Sequence, residues 1–512
     1  MSTSRNALKT RQWHDALRQA FNSGQYRKAA SIFEEHEGGS EPIDIVLVAA
    51  SSRMRTDPAE VLRRLVGLKV PTSNIRLSIE RESLLAEAHA RTGAFDAADE
   101  NLQRAVHAAL QLGDPEVIAA LGYRAVRRYL LEERPANARA SLELAQRGVS
   151  RRAAIYAAYC ETLILPYEER VFEQANKLIE VLRSIDPAGT DFTEIRVWGT
   201  HTLAALAREL YLPAAIPEVE RQLDGVPLPE DFAHNVFQAY RALAWAKALQ
   251  GDYFNAFRNL KKATSTSDTI AWKVVAACDR AYLAGCFDEH CWSRVELDEA
   301  EALADTVDWH STLGEERIGL LQLAELFGKI DSGRSAMYLA RYRELGELRS
   351  PLYNRHDARR SAYAQYAAGS VELALGNRKR ALTELRAART VFERFGFDAR
   401  AARCLLDEFA ITRNRALLPS IRERLLHYRE SWLWREYQKV SGPAETLLPP
   451  MQQRVFEELC EGKSTAEIAH TLSRSEFTIS NHIKQIFKAF GVKTRQSLLV
   501  EAVRRGMAPT MR

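Results

Sequence analysis

Residues 448–507 read LPPMQQRVFEELCEGKSTAEIAHTLSRSEFTISNHIKQIFKAFGVKTRQSLLVEAVRRGM, and this stretch decides how the rest of the chain is read. Apolar residues recur in it at helical spacing, in four short blocks with turn chemistry between them. Val455, Phe456, Leu459 and Cys460 give the first block one apolar face. Gly462 ends it, a residue suited to the left-handed conformation that follows a helix. Ser464 and Glu467 have capping-box spacing: the serine oxygen can take the Glu467 amide while the carboxylate reaches back. The short helix they open turns Ile468, Ala469 and Leu472 inward. Ser475 closes a turn and caps a third block running to Phe490, with Ile479, Ile483, Ile486, Phe487 and Phe490 as its core stripe. Gly491 stops that block, and Thr494 can cap a fourth helix through Val503.

The second and third blocks have the layout of a helix-turn-helix, in which one helix fits the DNA major groove and its predecessor braces against the backbone. The third block offers a polar face of Phe477, Ser480, Asn481, Lys484 and Lys488. Lys463, Arg474, Lys493, Arg495, Arg504 and Arg505 sit on turns or helix ends, where phosphates would pass. Ser464, Thr465, Ser475 and Thr478, at the openings of the two helices, complete the candidate DNA-contacting set. Between residues 475 and 505 there are six Lys/Arg against two acidic residues, a local excess that supplies electrostatic affinity. Asn481 and Lys484 are placed to read bases; Lys488, Lys493 and Arg495 are placed to hold phosphate.

The stretch resembles the LuxR/GerE-type DNA-binding domain, a four-helix form of helix-turn-helix found in many bacterial regulators. The positions that carry the resemblance are Val455, Gly462, Ser464, Glu467, Ile468, Ala469, Leu472, Ser475, Thr478, Ile479, Asn481, His482, Ile483, Ile486, Phe487, Gly491 and Val492, without a gap. It departs from the family pattern at Pro449, at Gln452 and Gln453, at Phe477 and at Ser480, where a lysine is common. Ser480 lies in the part of the helix that reads bases in family members, so the departures bear on the target sequence rather than the fold. The resemblance implies double-stranded DNA as a partner, with RNA polymerase a candidate second one. It also implies a homodimer on a near-palindromic site, paired through the fourth helix by some subset of Leu498, Val500, Glu501 and Arg504.

Over the whole chain of 512 residues the net charge is +4 and the pI about 8.6. Composition alone therefore announces no nucleic-acid partner, and the basic excess is confined to the C-terminal stretch. Alternating β-branched patterns are scarce, which favours an all-α protein. The six cysteines form no CxxC pair and mostly sit in helical apolar patterns, as reduced buried thiols do. Cys286, Asp288, His290 and Cys291 cluster, but their spacing matches no standard zinc framework, so no metal is assigned. The N-terminus has no signal-peptide stretch and no run approaches a membrane span. A soluble cytoplasmic protein without a membrane partner is the expectation.

Residues 1–440 read as helix after helix with a weak recurring motif. The clearest copy has Gly93, Phe95, Ala98, Leu102 and Ala105: a helix, a Gly-x-aromatic turn, then small, large and small residues along a second helix. Small residues let two helices pack closely. Gly251, Tyr253, Ala256, Leu260 and Ala263 repeat the pattern. So do Gly24, Tyr26, Ala29 and Phe33, with His36 in place of the last small residue. Weaker copies are Pro135, Ala138, Leu142, Ala145 and Gly376, Ala381, Leu385, Ala388. The turns at 24, 93, 133, 251 and 376 are 69, 40, 118 and 125 residues apart, near multiples of one unit of about 34–42 residues. Roughly ten helical hairpins, resembling tetratricopeptide repeats, are expected to stack, since one such unit cannot bury its apolar side alone. Residues 419–440 read as a last helix that caps the array, with Ile421, Leu425, Tyr428 and Trp432 along one side.

Several functions lack their signatures. The only GKS, at Gly462, has Glu457 where a phosphate-binding loop needs its first glycine. There is no acidic phosphorylation pocket, dinucleotide loop or nucleophile elbow, and no grouped His/Asp/Ser set, so there is no case for an enzyme or a cofactor. The chain is similar to regulators of the MalT type without their nucleotide-binding module. The reading is thus all-α: a tetratricopeptide-like α-solenoid (1–440), a linker (441–447) and a helix-turn-helix domain (448–512). The solenoid would sense an effector, whether peptide, protein or small molecule. Arg81, His89, Tyr240, Lys247 and Glu372 are candidates for its inner groove. The alternative is a repeat scaffold with an accessory, non-specific DNA-binding bundle.

Overall fold

The computed structural model describes residues 2–504 apart from 39–40, 55, 72, 190, 226–227, 268, 287–289, 313–315, 347–357 and 442–447. Every regular element among them is helical. The chain divides into two compact units, Met1–Ile411 and Thr412–Arg512.

In the first unit the helices pair off in order, from Ser2–Asn22 with Tyr26–His36 to Ala358–Ala374 with Arg378–Arg394: ten pairs among the described residues. The repeat motif explains the pairing. Ile75–Arg91 and Phe95–Leu112 are joined by a turn in which Gly93 takes a φ of +84°. A side chain there would be strained, so glycine marks the turn. Ala98, Leu102 and Ala105 are all buried against the first helix, as are Ala256, Leu260 and Ala263, and Ala381, Leu385 and Ala388. The close approach is explicit at Gly122, where a Cβ would stand 2.2 Å from the Ala145 amide nitrogen. Successive pairs then stack through their first helices, Ile75–Arg91 on Pro115–Leu131 and Pro115–Leu131 on Arg151–Ile164. The unit is an α-solenoid of tetratricopeptide-like hairpins.

Not all its contacts are between neighbours. The Arg27 amide donates to Asp231 Oδ1 at 3.2 Å, and the Tyr26 and Phe232 rings meet edge-on at 6.0 Å. Arg400 donates to both oxygens of Glu209 at 2.5 and 2.7 Å, and Arg394 pairs with Glu169. One core accordingly mixes Leu203 and Ala207 with Phe392, Phe397 and Ala401.

The expected single helix over 419–440 is two helices, Leu418–Leu425 and Trp432–Ser441, both in the second unit. The chain turns after Leu425, where the Tyr428 amide returns to the Leu425 carbonyl at 2.9 Å. Ser431 Oγ then accepts from the Trp434 amide at 3.4 Å, and the second helix starts there. Ile421, Leu425, Tyr428 and Trp432 are all buried, as their shared side implies.

Candidate nucleic-acid interface

Four helices follow, Pro450–Cys460, Thr465–Thr471, Glu476–Phe490 and Arg495–Arg504. They close on Leu448, Val455, Phe456, Leu459, Ile468, Ile479, Ile486, Phe490, Leu498 and Ala502, all buried. The Phe456 and Phe490 rings stack at 5.1 Å and tie the first helix to the third. This module has a core of its own, so the exposed face of its third helix is held on a rigid base.

The second and third helices are set by their caps. Ser464 Oγ accepts from the Glu467 amide at 3.3 Å, and Glu467 Oε2 accepts from the Ser464 amide at 2.7 Å. That backbone N–H holds the Glu467 carboxyl below the usual carboxylate range. The turn between the helices carries Ser473 at a φ of +52°, and the Arg474 amide closes it on the Ala469 carbonyl at 2.9 Å. Ser475 Oγ accepts from the Thr478 amide at 3.2 Å. Gly491 ends the third helix at a φ of +70°. Thr494 Oγ1 caps the fourth through the Ser497 amide at 3.1 Å.

The third helix presents Phe477, Asn481, Lys484 and Lys488 as one exposed stripe, at the three- and four-residue spacing that keeps side chains on one face of a helix. Ser480 is half-buried beside it, and Thr478 is half-buried with its hydroxyl 2.8 Å from that of Ser475. Arg474 and Lys493 are exposed at the flanking turns. Among the described residues Arg474, Lys484, Lys488 and Lys493 form no ion pair.

Two cations of the expected set are occupied within the module. Lys463 pairs with Glu458 at 2.5 Å and Glu461 at 2.8 Å, and hydrogen bonds to these carboxylates hold its ammonium above the usual range. Arg495 donates to the Leu459 carbonyl at 2.7 Å, fastening the fourth helix to the first. Ser464, Ser475 and Thr478 serve in caps, and Thr465 is half-buried. Arg505 lies outside the described residues, as does the side chain of Arg504. On the fourth helix Leu498 is core, whereas Val500 is 69% exposed. Cys460 is half-buried beside the module's core, and burial pushes its thiol up to about 11.

The residues named for the solenoid groove lie on three helices, Ile75–Arg91, Ala233–Leu249 and Ala358–Ala374. Arg81 donates to the Leu65 carbonyl at 3.0 Å, Lys247 pairs with Glu220 at 3.0 Å and Glu372 accepts from Asn377 at 2.8 Å. Tyr240 lies under the Lys262 ammonium, and burial lowers the pKa of His89. Sequence reading missed a different polar set, on the first helices of later pairs and on the helix Asp398–Thr412 that follows the last pair. Arg241 forks onto buried Asp279, which also accepts from Gln322 at 2.7 Å. Tyr363 donates to Glu325 at 3.4 Å, and Arg403 to the Tyr282 hydroxyl at 2.5 Å. Glu209 lies between Arg208 and Arg400. Burial alone would raise its carboxyl pKa, but the two guanidiniums outweigh this and hold it at about 2. The cluster of Cys286, Asp288, His290 and Cys291 lies outside the described residues, since only the Cys286 side chain falls within them.

Residues 447–502 match the family described as "Bacterial regulatory proteins, luxR family". The spore germination protein GerE of Bacillus subtilis (strain 168) is 41% identical over 63 residues, which are 12% of this chain and 85% of that protein. Solved structures align over longer stretches but overlap only slightly. The Cut9 chain of the APC/C hetero-tetramer Cut9–Hcn1 aligns with a TM-score of 0.27 at 14% identity, over 80% of this chain and 88% of its own. Yeast Tom70 gives 0.31 at 12% identity, over 99% and 96%.

Proposed function

The chain belongs to the luxR family of bacterial regulatory proteins and is a DNA-binding transcription regulator, and on that premise we propose that its third C-terminal helix reads promoter DNA in the major groove. The observation that carries this reading is the exposed stripe of Phe477, Asn481, Lys484 and Lys488, flanked by Arg474 and Lys493 and standing on a closed core. Asn and Lys at its centre match the donor and acceptor pattern of purine edges. Lys488, Arg474 and Lys493 hold phosphates and fix the register. Lys463 and Arg495 contribute to the local potential while serving the module's own packing.

The protein binds as a dimer on a near-palindrome, with Val500 at the contact between fourth helices. No described helix is long and apolar enough to cross a membrane, and the site of action is the bacterial cytoplasm, where the DNA lies. The solenoid senses an effector or protein partner and biases the DNA-binding module. What supports this part is that a repeat array of some 400 residues exceeds anything a self-contained four-helix module needs for stability. The test is retention of genomic fragments by the full-length protein at moderate salt, against excess competitor DNA. Recovery of a shared sequence supports sequence-specific regulation. Retention without any shared sequence returns the scaffold reading.

A further inference from the structure

Phe477 is 77% exposed, while the other phenylalanines of its module, Phe456 and Phe490, are buried and Phe487 is half-buried. It occupies the first turn of the third helix, two residues after the Ser475 cap, so its backbone position is fixed. Its neighbours on the same stripe, Asn481, Lys484 and Lys488, are all polar. A phenyl ring here supports no core and offers no hydrogen bond. The N-terminal residues of a recognition helix are those that meet base edges. The one apolar group that base edges offer in the major groove is the thymine C5 methyl.

On the reading that this helix enters the major groove, on which this inference rests, we propose that Phe477 packs against a thymine methyl group and makes a thymine part of the recognised half-site. The spacing places that thymine. Four residues separate Phe477 from Asn481, a rise of about 6 Å, against about 3.4 Å per base pair. The thymine therefore lies one to two base pairs from the base that Asn481 meets. The ring also excludes water from that edge, so cytosine, which lacks the methyl and carries an amino donor there, is disfavoured at the same position.

The experiment uses full-length protein and duplexes recovered from a randomised library by the wild-type chain. Each thymine of the recovered half-site is replaced in turn by deoxyuridine, which removes the methyl and keeps the pairing. At one position wild type should lose affinity roughly fourfold per half-site, the worth of burying about one methyl group. Phe477→Ala should bind the thymine and uracil duplexes equally, and Phe477→Leu should keep part of the discrimination. Phe477 is exposed, so the melting temperature of both variants should match wild type. If wild type is indifferent to uracil at every position, or if Phe477→Ala keeps the full discrimination, the inference falls while groove reading stands. If the library yields no preferred sequence at all, it is the groove-reading proposal that fails.

Discussion

Lys484 and Glu209 show how differently a charge can serve the two units. Lys484 stands in solvent with no acidic partner among the described residues, so its ammonium is available to a base edge or a phosphate. Lys484→Ala should cost about 1–3 kcal/mol on the recognised sequence and relax specificity there, with a smaller loss on random DNA. Titrating both duplexes checks this, and equal losses would make Lys484 a phosphate ligand only. Glu209 is the reverse case, buried between Arg208 and Arg400 and joining helices far apart in sequence. Glu209→Gln leaves two guanidiniums without their anion, a destabilisation on the order of 3 kcal/mol. The folded carboxyl sits at about 2 against an ordinary 4.5. Its stabilisation is therefore present above about pH 4.5 and is lost as the pH falls toward 2. Thermal melts of wild type should fall across that window, and those of the Gln variant should fall less.

Among elements, the fourth helix of the C-terminal module divides cleanly. Leu498 and Ala502 face the core, and Val500 faces out. Val500→Glu should leave the module folded and weaken binding to a palindromic site more than to a single half-site; equal effects on both would remove Val500 from the dimer contact. Legibility also differs by element. The C-terminal helices could be read because each boundary carries its own chemistry: the Ser464–Glu467 box, the Ser475 cap, Gly491 and Thr494. The five hairpins with the repeat motif could be read for the same reason. Other hairpins could not, because their turns reach the left-handed region without glycine, at Glu169 with a φ of +60° and Tyr211 with +49°. Even Glu133, in a hairpin that was legible, adopts +58° and showed only through Pro135 and the small residues after it. In the candidate interface the stripe was legible from periodicity. The occupation of Lys463 and Arg495 was not, since the Leu459 carbonyl that holds Arg495 is 36 residues away in sequence.

At the scale of the whole molecule, the solenoid is more than a chain of neighbours. The Glu209–Arg400 and Glu169–Arg394 pairs span 191 and 225 residues, and no local pattern encodes a contact of that range. The proposed control of the DNA-binding module works only through an effector that prefers one arrangement of the solenoid over another. The fragment 444–512, forced into a dimer, should therefore bind the recognised site with an affinity different from that of the full-length protein. Equal affinity, with and without cell extract, would leave the solenoid without a part in DNA binding. The central claim is that the third C-terminal helix reads sequence. Its most direct test is the ratio of the full-length protein's affinities for its selected duplex and for a random duplex of the same length, at physiological salt. The account predicts a ratio of about a thousand or more, whereas equal affinities that fall together as salt rises would contradict it.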